Sequence, residues 1–277
     1  MSTDRNQDSH EFAQHFTDVA LDYHSNPVFQ SSAYEQWINT IMFDALDLKG
    51  KHILFDAGCG SGKDCLWLLN KMNNEINVIG NDISSGMIKI FDNEIKTRNL
   101  TNVVKTFCMN AATFSQEKQL PTYHRVLLKQ FIHLLSHNER ILAFRGFHQK
   151  LSSIDNKLVI MGRPSKEIFP LDKRTQDMFT SMTPSFDTYV EELEMCGFTN
   201  IQYDIYPYTF DDNVTLDDWI NIIQKRLWSS FSRDHMNEEE MADCITFLKE
   251  AYKNQPFQLK DEMVVLHCTA KKQQHHD

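Results

Sequence analysis

Positive charge is in short supply: 28 Lys and Arg against 38 Asp and Glu leave a net charge of −10 over 277 residues. A surface of that sign repels phosphate backbones, which argues against a general nucleic-acid binder and leaves room only for a local basic patch. Glycine and proline are also few, 9 and 7 in the whole chain, far below what collagen-like or low-complexity chains carry. No run approaches 18 apolar residues, so no segment reads as a transmembrane helix. The N-terminus, MSTDRNQDSHEF, lacks the basic start and apolar stretch of a signal peptide. The six cysteines, at 59, 65, 108, 196, 244 and 268, form no CxxC pair. Scattered in a chain of this size they read as reduced thiols, and the expected location is the cytoplasm. What remains is an ordinary globular composition, 41% hydrophobic and 24% charged. The length predicts one to two domains.

The hydrophobic pattern alternates strands and helices. Short helical spacing over 11–23 is followed by a loop at Ser25–Pro27, near Phe29, and by a helix over 32–46. HILFDA at 52–57 is a buried strand that ends in a glycine cluster. A helix over 64–72, a strand at 77–82, and a helix that Ser84 is placed to cap come next. Strands are expected at 102–109, 124–131 and 157–162, with a helix over 138–151 between the last two. This spacing implies a parallel sheet with helices on both faces. Beyond it lie a helix at 187–196, a strand at 199–209, helical patterns on Leu216–Leu227 and Met241–Tyr252, and a last strand at 263–270. The tail KKQQHHD reads as a frayed end.

The strongest motif is FDAGCGSG at 55–62, in which Gly58, Gly60 and Gly62 follow a strand and open a helix. Glycine permits positive φ and lets a ligand approach bare backbone. Asp82 ends the next strand, 20 residues beyond Gly62, where a carboxylate can accept both hydroxyls of a ribose. Nicotinamide and flavin enzymes use GxGxxG to set a helix N-terminus against a pyrophosphate. Here the pattern is GxGxG, Lys63 stands where the third glycine of that fingerprint belongs, and Asp56 precedes the turn. A carboxylate there repels a pyrophosphate and suits a cofactor that bears an ammonium group, which predicts no binding of NAD.

DAGCGSG followed by NDISSGMI resembles motifs I and II of the class I S-adenosylmethionine-dependent methyltransferases, over roughly residues 50–165 and more loosely to the last strand. The resemblance implies a Rossmann-like α/β fold: a seven-stranded, mostly parallel sheet whose final strand is antiparallel and inserted between the fifth and sixth. Residues 1–48 become an N-terminal helical segment covering the cofactor, and 49–277 the methyltransferase domain, with a helical cap at 210–260 between strands six and seven. The implied cofactor is S-adenosylmethionine. Gly58, Gly60 and Gly62 would border its methionine part, Asp56 would organise the ammonium group, Asp82 the ribose, and Ile83 the adenine. Family members often carry an acid after the third strand. Asn110-Ala111-Ala112 stands there, with the Asn110 side-chain oxygen as the substitute acceptor for the adenine amino group. Lys129, Gln130, Phe131, Ile132 and His133 follow the fourth strand, nearest the sulfonium, with His133 as the candidate catalytic group.

Methyl transfer from a sulfonium expels a neutral leaving group, so alignment of the acceptor can carry most of the catalysis, and a base is needed only where the acceptor must lose a proton. The absence of a triad or metal spacing is therefore no objection. His133 and His137 make an HxxxH spacing, but Leu134 stands where the zinc-protease motif has Glu, and no metal site is expected. Three segments are placed to build the acceptor side: Tyr23 and His24 near the N-terminus, Arg163 and Lys166 after the fifth strand, and the cap with Trp219, Arg226 and Trp228. The cap is expected to be mobile and separable from the cofactor site. The acids Asp211, Asp212, Asp217 and Asp218 suit either an amine acceptor or a solvated helix start. A carboxylate or phenolic acceptor suits Arg163 or His133, and the sequence leaves the choice open. The leading expectation is an enzyme that methylates a small molecule at N or O, with no nucleic-acid or membrane partner. A protein or peptide methyltransferase would need an open acidic groove. A nucleic-acid enzyme lacks its NPPY-type segment, LLKQFIH standing in its place. A non-catalytic cofactor-binding regulator sits poorly with an intact glycine turn.

Overall fold

The computed structural model describes residues 10–26, 28, 31–211 and 213–270. Pro27, Phe29, Asp212 and the tail from Lys271 lie outside these. Seven strands form one sheet: β1 (Ile53–Ala57), β2 (Asn77–Asp82), β3 (Val104–Cys108), β4 (Arg125–Lys129), β5 (Lys157–Gly162), β6 (Phe198–Thr209) and β7 (Lys260–Ala270), in the order β3-β2-β1-β4-β5-β7-β6. β1 to β5 pair in parallel, and β7 is antiparallel to both β5 and β6. The Rossmann-like seven-stranded sheet is thus as expected, antiparallel strand included.

Side chains alternate across each strand, so two layers of core follow. Leu54, Val78, Leu127, Val159, Met161, Met263 and Val265 face α3 (Ser32–Leu46), α4 (Lys63–Lys71) and α5 (Ser85–Thr97). Phe55, Ile79, Val126, Leu128, Leu158, Ile160, Val264 and Leu266 face α6 (Ala111–Phe114), α7 (His137–Lys150) and α9 (Phe186–Met195). Helix starts follow local chemistry. Ser84 accepts the Met87 N–H, as its position predicts, and Ser136 with Glu139 makes a reciprocal capping box on α7.

Three expectations need correction. The first helix is two, α1 (His10–Asp18) and α2 (Ala20–His24), broken at Val19. Between β5 and α9 runs a helix the pattern did not show, α8 (Lys173–Met182). It buries only Thr175, Gln176 and Phe179, so it carries no apolar stripe to read. The insertion between β6 and β7 holds α10 (Leu216–Gln224), a short 3-10 turn at Ser229–Phe231 and α11 (Glu238–Ala251). Its apolar residues, among them Ile220, Ile223, Leu227, Met236, Cys244 and Leu248, belong to the same buried cluster as Met42 and Leu46 of α3. The insertion extends one main layer of the molecule and is not a detached lid. Among the described residues no helix is long and apolar enough to cross a membrane.

Candidate active site

The C-terminal ends of β1, β2, β4 and β5 meet on one edge, where the strand order reverses between β1 and β4, the crevice in which such sheets take ligands. The glycine turn is clamped to β2: Gly58 and Cys59 donate N–H bonds of 2.7 and 3.0 Å to the Asn81 carbonyl. Gly60 has φ +52, and a Cβ there would meet nothing within 4 Å, so bare backbone faces the crevice. Gly62, at φ +77, opens α4 and packs its Cα against the Phe91 ring. Asp82 accepts the Gly60 N–H on Oδ2 at 2.9 Å and the Ser84 N–H on Oδ1 at 2.8 Å. Burial pushes its carboxyl above the usual carboxylate range, against those two donors, which favour its charged form.

Three cavities open along this edge. The first, of about 100 Å³, is lined by Gly58, Gly60, Asn81, Asp82, Ile83, Asn110 and Ala111 and roofed by Phe12, Phe16 and Tyr23 of α1 and α2. Asn81, whose buried Oδ1 has no partner among the described residues, is part of its wall. The second, of about 580 Å³, extends past Gly60, Ser61 and Lys63 toward α3, and the third, of about 60 Å³, reaches His133, Phe179 and Ser230. Tyr23 and Gln130 line all three. Gln130 sits at φ +55, a conformation uncommon for a residue with a side chain.

The roof is docked. Thr17 Oγ1 lies 3.0 Å from Ser84 Oγ, and Gly86 leaves room for α1: a Cβ there would stand 2.9 Å from the Thr17 carbonyl oxygen. Asp22 of α2 pairs with Lys225 after α10 at 2.6 Å, and Phe12 stacks on His235.

On the β5 side, Arg163 donates from Nε and Nη2 to the two oxygens of the fully buried Asp261, at 2.9 and 2.8 Å, and Tyr34 donates to Asp261 Oδ2 at 2.8 Å. Burial works against the guanidinium's charge, but the Asp261 pair outweighs it and holds the group protonated. Arg163 also lies 4.5 Å over the Trp228 ring and 5.1 Å over Phe169. His133 makes no hydrogen bond among the described residues. Burial, helped by the charge of Arg163, lowers its pKa to about 4, so it is a neutral imidazole at physiological pH.

Arg163, Trp228 and His133 are therefore brought together with Tyr23 and Gln130, whereas other expected site residues are not. Trp219 is 0% exposed, stacks on Phe169 and donates its indole N–H to the Pro170 carbonyl; it supports the wall from behind and touches none of the three cavities. Arg226 is buried on the Phe231 and Met236 carbonyls and pairs with Glu238. Asp56 lies beneath the glycine turn, outside all three cavities, and accepts the Cys65 thiol at 2.9 Å; burial, reinforced by Asp64, raises it to about 7. Asn110 lines the first cavity, but its Oδ1 caps α6 by accepting the Ala112 and Thr113 N–H groups. Both lone pairs are engaged, which removes it as the substitute acceptor for an adenine amino group. Asp218 closes a capping box with Thr215 and Asp217 stands in the same first turn, so these two acids serve a helix start. His133 and His137 do not share a helix: the first is in a 3-10 turn, the second opens α7 and pairs with Glu192. Among the described residues no group of three or more His, Cys, Asp or Glu is placed to hold a metal ion. Sequence reasoning missed Asp261, Tyr34 and Ser230. Asp261 opens a strand read as starting at 263, and lone Tyr and Ser residues carry no spacing signal.

The comparisons agree with this geometry. Residues 54–153 match the model of the methyltransferase domain family. No curated protein matches the chain in sequence. Among solved structures, the [4+2]-cyclase SpnF is 16% identical with a TM-score of 0.64, over 95% of this chain and 96% of the other. The cyclopropane synthase MmaA2 from Mycobacterium tuberculosis is 15% identical with a TM-score of 0.60, over 96% and 97%. Phosphoethanolamine N-methyltransferase 2 from Haemonchus contortus, in complex with phosphomonomethylethanolamine and S-adenosylhomocysteine, is 12% identical with a TM-score of 0.61; the match covers 96% of this chain and 60% of that one. At such identities the likeness shows the fold. The residues present fit S-adenosylmethionine: bare backbone at Gly60, a fixed carboxylate at Asp82 and the partnerless Asn81 oxygen share one crevice. Residues 54–153 carry a methyltransferase domain, and the crevice at its glycine turn fits S-adenosylmethionine as the cofactor.

Proposed function

We propose that this protein transfers a methyl group to a nitrogen or oxygen of a small molecule. The observation that carries the reading is the meeting of three cavities at Tyr23 and Gln130, under a roof of α1 and α2 tied to the β6–β7 insertion. A site covered from two sides suits a compact acceptor better than a peptide or a nucleic-acid strand.

S-adenosylmethionine, when bound, supplies an electrophilic methyl on sulfur. Asp82 would hold its ribose and Ile83 would pack on its adenine, with Gly58 and Gly60 leaving bare backbone beside its amino-acid part. Gln130 and Tyr23, at the junction, would align the acceptor with the methyl group, and alignment of this kind can supply most of an in-line displacement's acceleration. His133, held neutral, is a weak base and a good hydrogen-bond partner. Its role here is to orient the acceptor, and protons leave to solvent or to the acceptor's own equilibrium. Arg163 and Trp228 form the far wall. Asp56 would act on the ammonium group only through the turn above it.

The test is S-adenosylhomocysteine release by purified protein offered small amines, phenols and carboxylic acids, with peptides as a separate arm. Turnover of a small acceptor is expected. Turnover of peptides alone would overturn the small-molecule reading. Binding of NAD with no response to either sulfur ligand would overturn the function altogether.

A further inference from the structure

The third cavity is built differently from the other two. Among its described lining residues Arg163 is the single charged group, and no carboxylate faces it. Ser230 contributes a hydroxyl that is buried, at 2% residue exposure, and has no hydrogen-bond partner among the described residues. His133 adds a second polar group without a partner. Buried polar atoms are nearly always satisfied, so the Ser230 hydroxyl, beside the half-buried His133 ring on one small cavity, points to a ligand that satisfies it. Resting on the methyltransferase reading, we infer that the third cavity is the acceptor subsite and that it takes the ionisable oxygen of an acid, a carboxylate or a phenol, through Ser230, His133 and Arg163.

The alternative, an ammonium acceptor, finds no counter-charge. Asp261 is the acid closest to Arg163 in the network, and it is saturated: Oδ1 accepts Arg163 Nε and the Glu262 N–H, Oδ2 accepts Arg163 Nη2 and the Tyr34 hydroxyl. In the adjoining second cavity Asp64 is paired with Lys129 and Glu94 with Arg98, while Glu35 faces the same cleft as Lys63. Nor does Trp228 offer an aromatic face to a cation. Arg163 covers it at 4.5 Å, and Phe231 stacks with it at 5.6 Å. An ammonium group would meet the guanidinium, and Asp261, the acid that balances that guanidinium, has no lone pair left for a second cation. An acidic oxygen meets donors from the Ser230 hydroxyl and neutral imidazole, in the positive field of Arg163, with Phe16 and Phe179 as apolar walls for the body of the molecule.

Calorimetric titration of protein saturated with S-adenosylhomocysteine tests this, with benzoate, phenol and benzylamine as probes. Benzoate or phenol is expected to bind, whichever is tighter identifying the oxygen acid, and benzylamine to bind at least about tenfold more weakly, a ratio worth about 1.4 kcal/mol. Ser230→Ala is expected to weaken the acid probe about tenfold, the value of one hydrogen bond, with S-adenosylhomocysteine affinity and Tm unchanged. Benzylamine binding as tightly as the acids, an unchanged acid affinity in Ser230→Ala, or no probe binding to the loaded protein would each overturn the assignment while leaving the methyltransferase reading intact. Failure of S-adenosylhomocysteine itself to bind would take down both.

Discussion

Asp56 carries a titration that can be read out from stability alone. Its carboxyl stands at about 7 in the folded chain against 3.8 ordinarily, because burial disfavours the charge and Asp64 adds to it. Between those values the folded state keeps a proton that the unfolded chain has released, so stability falls as pH rises through that window. Asp56→Asn cannot ionise and still accepts the Cys65 thiol. Thermal melts of ligand-free protein at pH 5 and pH 8 should show the wild type losing more of its Tm than the variant over that interval, and parallel losses would refute a buried acid near 7. Asp82 lends itself to a ligand test. Asp82→Ala should weaken S-adenosylhomocysteine binding by about 1.5–3 kcal/mol, the range for a hydrogen bond to a charged group. Unchanged affinity in calorimetry would leave Asp82 only the task of holding the Gly60 and Ser84 N–H groups. Asp82 and the glycines were legible because each satisfies a backbone need at a fixed spacing, whereas Asp56, read for a cofactor ammonium group, turns its carboxyl to the Cys65 thiol beneath the turn. Asn110 was read for its side-chain oxygen, which the local chain uses first as a helix cap. Ser230 and Tyr34 are legible only in space, since nothing adjacent in the chain requires them.

At the scale of elements, α1 is the part whose placement decides access to the first cavity. It rests on the N-terminal turn of α5 at Gly86, where no larger residue fits under the Thr17 backbone. Ordinarily Gly→Ala within a helix stabilises it, by about 0.5–1 kcal/mol. Here the added methyl must displace α1, an overpacking that costs about 1–3 kcal/mol at the contact. Gly86→Ala should therefore leave the global melt close to wild type. It should also speed proteolysis within residues 10–24 and accelerate S-adenosylhomocysteine dissociation several-fold in stopped flow. An unaltered dissociation rate together with unaltered cleavage would mean that α1 does not gate the cavity. The helices with an apolar stripe, α3, α5 and α9, were readable from spacing. α8 was not: it packs Thr175 and Gln176 inward, and the prolines before it, Pro164 and Pro170, mark a loop.

For the whole molecule, the order of strands and the antiparallel β7 came through because a glycine turn and a strand-terminal acid occur together in one kind of sheet. What did not come through is how the insertion is mounted, since apolar spacing on α10 and α11 says that they bury a face without saying against what. The packing answers that. Tyr34 stacks on Phe210 and touches Tyr208, Trp219 lies under Phe169, and Ile222, Ile223 and Leu248 share one buried cluster with Leu54, Val159 and Met263 of the sheet. A layer continuous with the core cannot be removed as a lid would be, so replacing 213–258 by a short turn should abolish the folded protein along with its activity. A gentler experiment asks whether insertion and sheet unfold as one unit. With Trp37 and Trp67 changed to Phe, only Trp219 and Trp228 report by fluorescence, and both sit in the insertion. Cooperative unfolding requires their denaturant transition to coincide with that of the far-ultraviolet circular dichroism, which the sheet and its helices dominate. Trp219→Ala should then move both transitions together, by about 3–5 kcal/mol, the usual cost of deleting a buried aromatic. An earlier fluorescence transition, shifted alone by that substitution, would restore the separable cap and make its motion a candidate for controlling acceptor entry.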